Sequence, residues 1–304
     1  MRENFGRSLS TLDWTVAPGP ASVELATNLS VKLGAKLLPV EVTDFPDGES
    51  KIRIGDDVRN KRVILVQSTY PPVDKHIMQL LVLAHKLSED GADVFAAVPY
   101  LGYARQDREF LPGEVVTLGV LGRLMRSVGI KRLVTVDIHS VKALGLFSFP
   151  VYSTSSIPLL AEHIGSHFDL KRAIAVSPDF GSSTRVEAFS AVLKIEHVSF
   201  KKSRDRKTGE ITTEEQSLDL SGRDAVIIDD MISTGASVIK CAQLLKKYGA
   251  HRVIAACAHA VLIGGAAERL MSAGVDELIA TNSIPTKYSK VDVSPLLASH
   301  FEML

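Results

Sequence analysis

The chain has 304 residues, which is long for one domain and fits two domains of about 150 residues each. Lysine plus arginine and aspartate plus glutamate number 35 each, and the formal net charge is zero. A chain without net charge has no overall electrostatic field that would attract nucleic acid or an anionic membrane, so we expect neither as a partner. Any bound anion must be held by a local cluster.

The cysteines and the apolar stretches indicate a cytoplasmic protein. The cysteines, Cys241 and Cys257, both lie in apolar stretches, which favours reduced core thiols over a disulfide framework or a metal site. Residues 1–14 lack the apolar core of a secretory signal. The longest apolar stretch, residues 253–267, is interrupted by His259 and is shorter than the roughly 18 residues of a membrane span. We therefore expect no membrane association.

Short apolar runs rich in β-branched residues recur along the chain and predict strands. They are continuous rather than alternating, as in strands covered on both faces. In chain order they are 62–67, 94–99, 133–137, 173–176, 225–228, 253–256 and 277–281. Apolar stripes at helical spacing lie between them, as in residues 75–87 and 237–247. This alternation predicts an α/β fold with mainly parallel sheets flanked by helices.

Two parts of the chain resemble each other. Residues 57–68 align without gaps on residues 219–230, and after a helix the copies realign at Gly91 and Gly249. The offset falls from 162 (229 − 67) to 158 (249 − 91), so the loop or the helix of the second copy is four residues shorter. We interpret the copies as two tandem similar domains; the alternative is chance similarity between two strand-helix-strand units. The predicted domains are residues 1–150 and 151–304.

The segment that carries the clearest chemistry is residues 226–237. An apolar strand ends in the adjacent carboxylates Asp229 and Asp230, and the loop 233–237 then opens a helix. Backbone N–H groups of such a loop, with a helix N-terminus behind them, bind anions. Paired carboxylates suit sugar hydroxyls or a hydrated Mg²⁺ better than a bare phosphate. The alternative is an ordinary helix cap that follows two solvated aspartates.

This segment resembles the phosphoribosyl pyrophosphate loop of type I phosphoribosyltransferases. Five further segments stand in order and spacing like those of ribose-phosphate pyrophosphokinases. They are Phe45-Pro-Asp47-Gly48-Glu49, Tyr103-Ala-Arg105-Gln106-Asp107-Arg108, Val136-Asp137-Ile-His139-Ser, Ser177-Pro-Asp179-Phe-Gly181 and Thr281-Asn282-Ser-Ile-Pro285. The resemblance extends from about residue 16 to the C-terminus. It departs at Ser233, where many relatives have Asp, at Ala236-Ser237, which replaces the common Gly-Thr, and at Ser182, where many relatives have Gly.

The resemblance implies two phosphoribosyltransferase-type domains and the activity of a ribose-phosphate diphosphokinase. Such an enzyme moves the β,γ-diphosphoryl group of Mg·ATP to the 1-hydroxyl of ribose 5-phosphate, giving phosphoribosyl pyrophosphate and AMP for nucleotide biosynthesis. ATP and ribose 5-phosphate would be its substrates and Mg²⁺ its cofactor. In the family, the segment around Phe45 reaches the active site of a neighbouring subunit, which implies a homodimer or homohexamer with the ATP site at an interface.

The resemblance also assigns roles to individual residues. Lys202 and Arg204 match the catalytic pair of the family, within a run, 201–207, of five cations and one anion that suits electrostatic stabilisation of phosphoryl oxygens; without the resemblance this run would be a solvated surface loop. His139 and Asp179 match metal-associated residues. The implied ATP-binding residues are Phe45, Asp47, Gly48, Glu49, Arg105, Gln106, Asp107 and His139. The implied ribose 5-phosphate-binding residues are Arg204, Asp229, Asp230, Ser233, Thr234, Gly235, Ala236 and Ser237.

Two other functions compete with this interpretation. A phosphoribosyltransferase that uses a nucleobase would share residues 229–237, but it would have one core domain plus a hood. A non-catalytic, synthetase-associated regulatory subunit would lack the Lys-x-Arg pair or the acidic pair, and this chain has both. In the first copy Gln67-Ser68 replaces the acidic pair, so we expect a degenerate loop in the first domain and the ribose 5-phosphate loop in the second.

Overall fold

Two parallel sheets follow one another along the chain. The computed structural model describes residues 14–178, 183–199, 202–204, 211–213 and 219–303, and it leaves out the side chains of residues 183, 202–204 and 211–213. Each sheet has six strands within the described residues, and all neighbouring strands are parallel. Helices connect most of the neighbouring strands within each sheet, which confirms the predicted fold class.

The first sheet is formed by strands in the order β2-β1-β5-β6-β7-β8. The strands of this half are β1 Trp14–Pro18, β2 Lys36–Leu37, β3 Val40–Asp44, β4 Ser50–Ile54, β5 Arg62–Val66, β6 Asp93–Ala97, β7 Ile130–Val136 and β8 Val151–Thr154. Its helices are α1 Val23–Leu33, α2 Val73–Glu89 and α3 Thr117–Ser127, with a 3-10 helix at Val141–Leu146. Strands β3 and β4 pair with each other as a separate antiparallel hairpin.

The second sheet repeats this arrangement in the order β10-β9-β13-β14-β15-β16. Helix α4 Ile157–His167 follows β8 and is the last element of the first half. The elements of the second half are β9 Ile174–Ser177, α5 Ser183–Leu193, β10 Glu196–Ser199, β11 Lys202–Arg204, β12 Ile211–Thr213, β13 Asp224–Ile232, α6 Ala236–Lys247, β14 Arg252–Ala260, α7 Ala266–Ser272, β15 Glu277–Thr281, β16 Ser289–Val291 and α8 Ser294–Glu302. Strands β11 and β12 form a second antiparallel hairpin, which occupies the same position in the element order as β3 and β4.

The repeat seen in the sequence is visible in the backbone. Gly91 after α2 and Gly249 after α6 both have a left-handed φ, 88° and 87°. Each donates its N–H to the carbonyl three residues earlier, Ser88 and Lys246, at 3.0 Å. Helix α2 has 17 residues and α6 has 12, five fewer, while the segment between the aligned residues and α6 is one residue longer than the segment before α2. The net shortening of four residues predicted for the loop or the helix therefore lies in the helix. We refer to the two halves as the first and the second repeat.

The last helix of each repeat packs on the other repeat. Helix α4 follows the first sheet, yet its Leu160 and Ile164 belong to the apolar core around β9 and β13. Helix α8 follows the second sheet, and its Leu297 and Phe301 pack with β1 and α1. This exchange buries apolar area of each repeat against the other and stabilises their association.

Some expectations from the sequence concern the borders and the environment of the chain. The division at residue 150 stays a prediction; the structure assigns residues 151–154 to the first sheet, as β8. Cys241 and Cys257 are both buried and not joined in a disulfide, in agreement with core thiols. Within the described residues, no helix is long and apolar enough to cross a membrane.

Candidate active site

The acidic pair and the loop that follows it lie at the carboxyl end of β13, in the middle of the second sheet. Asp229 is partly exposed and Asp230 is buried. Gly235, the N-cap residue of α6, has a left-handed φ of 78° and no side chain that could cap the helix. The N–H groups at the start of α6 face the loop, as an anion site requires. This argues against the alternative of a side-chain cap.

The loop is held from behind by backbone and side-chain contacts of its own repeat. The carbonyl of Ser233 accepts a hydrogen bond from the N–H of Ile263 at 3.2 Å. The carbonyl of Thr234 accepts one from Nη2 of Arg269 at 3.0 Å. Because both bonds use carbonyl oxygens, the N–H side of the loop stays directed to the site.

A histidine of the first repeat reaches the acidic pair of the second. Nδ1 of His139 lies 2.7 Å from Oδ2 of Asp230, across the boundary between the repeats. Since a carboxylate only accepts, Nδ1 carries the proton, and this bond leaves Nε2 unused. Arg185, on α5, lies 3.6 Å from the same oxygen. The sequence did not predict Arg185; its position just after the segment Ser177-Pro-Asp179 was the available signal.

These contacts shift the charge states of both groups. The hydrogen bond to Asp230 raises the pKa of His139 above its ordinary value, against the effect of burial. Burial acts to raise the pKa of Asp230, but the hydrogen bond from His139 and the charge of Arg185 outweigh it and hold this pKa far below its usual range. Asp230 is thus an anion that already has two partners, whereas Asp229 is the more exposed carboxylate.

The predicted nucleotide segment lines a cavity next to β13. Arg105 and Gln106 are exposed at a cavity of about 380 Å³ that also includes Tyr100, Tyr103 and Met231. Met231 directly follows Asp230, so this cavity adjoins the acidic pair. The hydroxyl of Tyr103 donates to Asp74 at 2.6 Å, which fixes one wall. Tyr100, Met231 and Asp74 were not predicted, because nothing in their local sequence distinguishes them from core or surface residues.

The hairpin residues lie at a different cavity. Gly48 has a φ of 95°, and the N–H of Glu49 donates to Oδ1 of Asp47 at 3.1 Å, so the tip of this hairpin is a tight turn. Asp47, Gly48 and Glu49 line a cavity of about 480 Å³ together with side chains of α2. Phe45 is 44% exposed. As far as the described residues go, this cavity shares no lining residue with that of Arg105.

Three predicted residues fall outside what the structure describes. Asp179 lies in the gap 179–182, and the side chains of Lys202 and Arg204 are not described. The backbone of residues 202–204 pairs with residues 211–213 as an antiparallel hairpin.

The first repeat has a closed counterpart of the acidic pair. Gln67 is fully buried; its Oε1 accepts from the N–H of Ala21 at 3.1 Å and its Nε2 donates to the carbonyl of His76 at 3.2 Å. Ser68 donates to the carbonyl of Ser283 in the second repeat. These side chains fill the position that Asp229 and Asp230 occupy in the second repeat, in agreement with a degenerate loop.

The available donors fit a largely hydrated Mg²⁺. Among the described residues, no group of three or more His, Cys, Asp or Glu side chains could hold a metal ion. Asp229 offers a partly exposed carboxylate, and its neighbour Asp230 binds the imidazole of His139. Mg²⁺ keeps several waters and binds through one or two carboxylates plus substrate phosphates. Such a sparse set of ligands suits a metal that arrives with a polyphosphate.

The fold and the site together define a two-repeat protein of the phosphoribosyltransferase type, with one open acidic loop. A family model of the N-terminal domain of ribose phosphate pyrophosphokinase matches residues 14–129, and one of the phosphoribosyl synthetase-associated domain matches residues 215–300. The ribose-phosphate pyrophosphokinase of Methanothermobacter thermautotrophicus is 38% identical over 91% of this chain and 96% of its own. That of Campylobacter jejuni is 36% identical over 90% and 88%.

A solved structure agrees with these relatives. The crystal structure of phosphoribosylpyrophosphate synthetase from Mycobacterium smegmatis has a TM-score of 0.84 and 28% identity, covering 95% of this chain and 97% of that chain. The chain belongs to the ribose-phosphate pyrophosphokinase family. The predicted fold class, family and diphosphokinase activity are thereby confirmed, while the roles of individual residues stay predictions.

Proposed function

We propose that this chain transfers the β,γ-diphosphoryl group of Mg·ATP to the 1-hydroxyl of ribose 5-phosphate at the carboxyl end of β13. The observation that carries this proposal is the juxtaposition of an open anion loop, a partly exposed carboxylate and a histidine of the other repeat. The loop 233–237 suits the 5-phosphate, because its N–H groups and hydroxyls are donors. Asp229 suits the ribose hydroxyls, because a carboxylate accepts from two of them at once.

The donor site is proposed at the adjoining cavity. Arg105 is exposed there beside Gln106, and a guanidinium binds phosphate oxygens with two parallel hydrogen bonds. His139 would face the same phosphates through Nε2, with its ring held by Asp230. Asp107 completes the segment. ATP then lies between the repeats, with its polyphosphate directed to the ribose loop.

The hairpin β3–β4 would complete an ATP site in another subunit. Phe45 is an exposed aromatic face, and Asp47 and Glu49 lie at the turn next to it. Their cavity is separate from that of Arg105 in the same chain, which is the arrangement expected if the hairpin serves a neighbour. We therefore propose a homodimer or homohexamer, and the cytoplasm as its compartment.

Mg²⁺ is the proposed cofactor, with His139 and Asp179 as its associated residues. Bound with ATP, it would neutralise charge on the phosphoryl oxygens. The chain itself would supply the remaining stabilisation: Lys202 and Arg204 would contact the transferring group, with Arg204 also near the ribose phosphate. Because little covalent chemistry is left to the protein, positioning and electrostatics would provide most of the rate enhancement.

The activity is tested by mixing the purified protein with ATP, ribose 5-phosphate and Mg²⁺ and following the nucleotide products. We expect AMP in equal amount to phosphoribosyl pyrophosphate, without any nucleobase. Release of ADP would refute diphosphoryl transfer. A requirement for a nucleobase would favour the phosphoribosyltransferase alternative, and no turnover would favour the regulatory one.

The ribose site is tested with Asp229→Asn. We expect the KM for ribose 5-phosphate to rise about 10-fold or more, because one charge-assisted acceptor is lost. Glu277→Gln is the matched control, since Glu277 is an exposed acid of the same sheet, at the start of β15; its kinetics should equal those of the unchanged protein. An equal effect of both variants would contradict the assignment of Asp229.

A further inference from the structure

A buried histidine, His259, joins the two repeats close to the proposed site. It is 2% exposed and lies near the end of β14, opposite Met231 of β13 in the strand register. Strands β13 and β14 have nine residues each, whereas their counterparts β5 and β6 have five. The longer strands of the second repeat therefore extend to the first repeat, and His259 lies in this extension.

Both ring nitrogens of His259 are used. Nε2 lies 3.0 Å from the carbonyl oxygen of Val136, in the first repeat, and Nδ1 lies 2.8 Å from Oγ of Ser283. A carbonyl only accepts, so Nε2 carries the proton, and in the neutral ring Nδ1 accepts from the Ser283 hydroxyl, which also lies 2.8 Å from the carbonyl oxygen of Ala258. The ring of Tyr100, also in the first repeat, packs edge-on at 5.1 Å between centroids. Burial lowers the pKa of His259, which favours this neutral form.

The bond to Val136 holds the turn that carries His139. Asp137, the next residue, has a left-handed φ of 38°, unusual for a non-glycine residue. Its carboxylate accepts hydrogen bonds from the N–H of Ser156 at 2.8 Å and from Oγ of Ser155 at 3.2 Å. Two residues further on, His139 reaches Asp230.

The two links across the repeat boundary belong to one rigid frame. His259 lies on β14 and Asp230 on β13, and these strands pair through nearly their whole length. His259 fixes the backbone just before the turn, and Asp230 binds the side chain just after it. A shift of Val136 relative to β14 would therefore move His139 relative to Asp230.

We propose that His259 is a positioning residue, whose two hydrogen bonds keep the end of β7 where His139 can reach Asp230 and face the diphosphoryl donor. The proposal rests on the proposed contact of His139 with ATP. It assigns His259 no contact with substrate. Replacing His259 should therefore weaken the binding of ATP. The affinity for ribose 5-phosphate should stay the same, because the ribose loop belongs wholly to the second repeat.

The test is calorimetric binding of Mg·ATP and, separately, of ribose 5-phosphate to the full chain. His259→Phe keeps a ring against Tyr100 but loses both hydrogen bonds; we expect at least about 10-fold weaker ATP binding and an unchanged affinity for ribose 5-phosphate. His259→Gln carries a donor and an acceptor at similar spacing and should restore most of the ATP affinity. Cys257→Ala, buried on the same strand, is the control that should change neither.

A double-mutant cycle with His139→Ala separates positioning from a general structural role. If His259 acts through His139, His259→Phe should weaken ATP binding no further in the His139→Ala background. Additive losses, equal losses for both substrates, or failure of Gln to restore would overturn the inference and leave the proposed function intact. If His139→Ala alone leaves ATP binding unchanged, the assignment of His139 fails and the inference with it. Should the Phe variant not fold, His259→Asn replaces it, because its shorter amide cannot reach the Val136 carbonyl.

Discussion

The packing of α8 on the first repeat leads to a quantitative stability prediction. Phe301 is fully buried, and its ring lies 5.6 Å from that of Trp14, edge to face. Replacing a buried phenylalanine by alanine removes the transfer energy of the ring and leaves a cavity, a loss of about 3–5 kcal/mol, of which the aromatic pair accounts for about 0.5–1.5 kcal/mol. Since domains are stable by only about 5–15 kcal/mol, Phe301→Ala should strongly lower the free energy of unfolding.

The assay uses the chain's one tryptophan, Trp14, which lies in β1 against Phe301. Urea unfolding followed by its fluorescence should shift to clearly lower urea for Phe301→Ala. Met303→Ala is the control at the end of the same helix; Met303 is 75% exposed, and its loss should stay within about 0.5 kcal/mol. A loss below about 1 kcal/mol for Phe301→Ala, or equal shifts for both variants, would refute the packing of α8 on the first repeat.

Four further predictions concern the site and its surroundings. Lys202→Ala should lower kcat by orders of magnitude with little change in ribose 5-phosphate affinity, because its contact forms chiefly in the transition state. Steady-state kinetics that show a raised KM and an unchanged kcat would contradict this role. Gly235→Ala should lower the stability by about 1–2 kcal/mol and also the affinity for ribose 5-phosphate. The cause is the φ of 78°, not a steric clash, because the nearest atom to the added Cβ, in Leu270, is 3.4 Å away. No change in either measurement would contradict the loop geometry. Because the pKa of His259 is lowered, the folded chain binds fewer protons there than the unfolded chain. The free energy of unfolding should therefore decrease as the pH falls below about 6.5, and His259→Gln should reduce this pH dependence by up to about 1.4 kcal/mol per pH unit. Urea unfolding at several pH values that gives the same pH dependence for both proteins would exclude this role of His259. Chelation of Mg²⁺ by EDTA should abolish product formation and weaken ATP binding, and readdition should restore both; full activity after chelation would remove Mg²⁺ from the mechanism.

Elements with a strong local signal could be predicted from the sequence. Strands such as β5 and β14 are continuous apolar runs, because both faces of a parallel sheet are covered. Strand β8, Val151–Thr154, was missed, because an edge strand is only half-covered and its sequence is mixed. The hairpin strands β3 and β4 were missed for the same reason: none of their residues is buried, so they lack an apolar run.

Contacts between distant segments could not be predicted. The acidic pair and loop 229–237 are contiguous, so the sequence alone predicts a site there. His139 and Asp230 are 91 positions apart, and no pattern in either segment indicates that one binds the other. Helix α8 likewise shows an apolar stripe, which indicates that a face is buried but not against which sheet. The sequence therefore predicted the parts of the site but not the link between the repeats.

The link between the repeats also explains why their equivalent strand ends have different roles. In the first repeat the side chain of Gln67 bonds to backbone groups of Ala21 and His76, and that of Ser68 bonds to Ser283. The loop that follows contains Pro71 and Pro72, which have no N–H to offer an anion. In the second repeat the corresponding loop keeps its N–H groups and Asp229 stays partly exposed. The end of β5 thus contacts the other repeat, whereas the loop after β13 keeps N–H groups that can bind an anion. Under the proposed function, the described part of the chain offers one ribose 5-phosphate loop, and the duplicated fold supplies the donor side of the same site instead of a second acceptor.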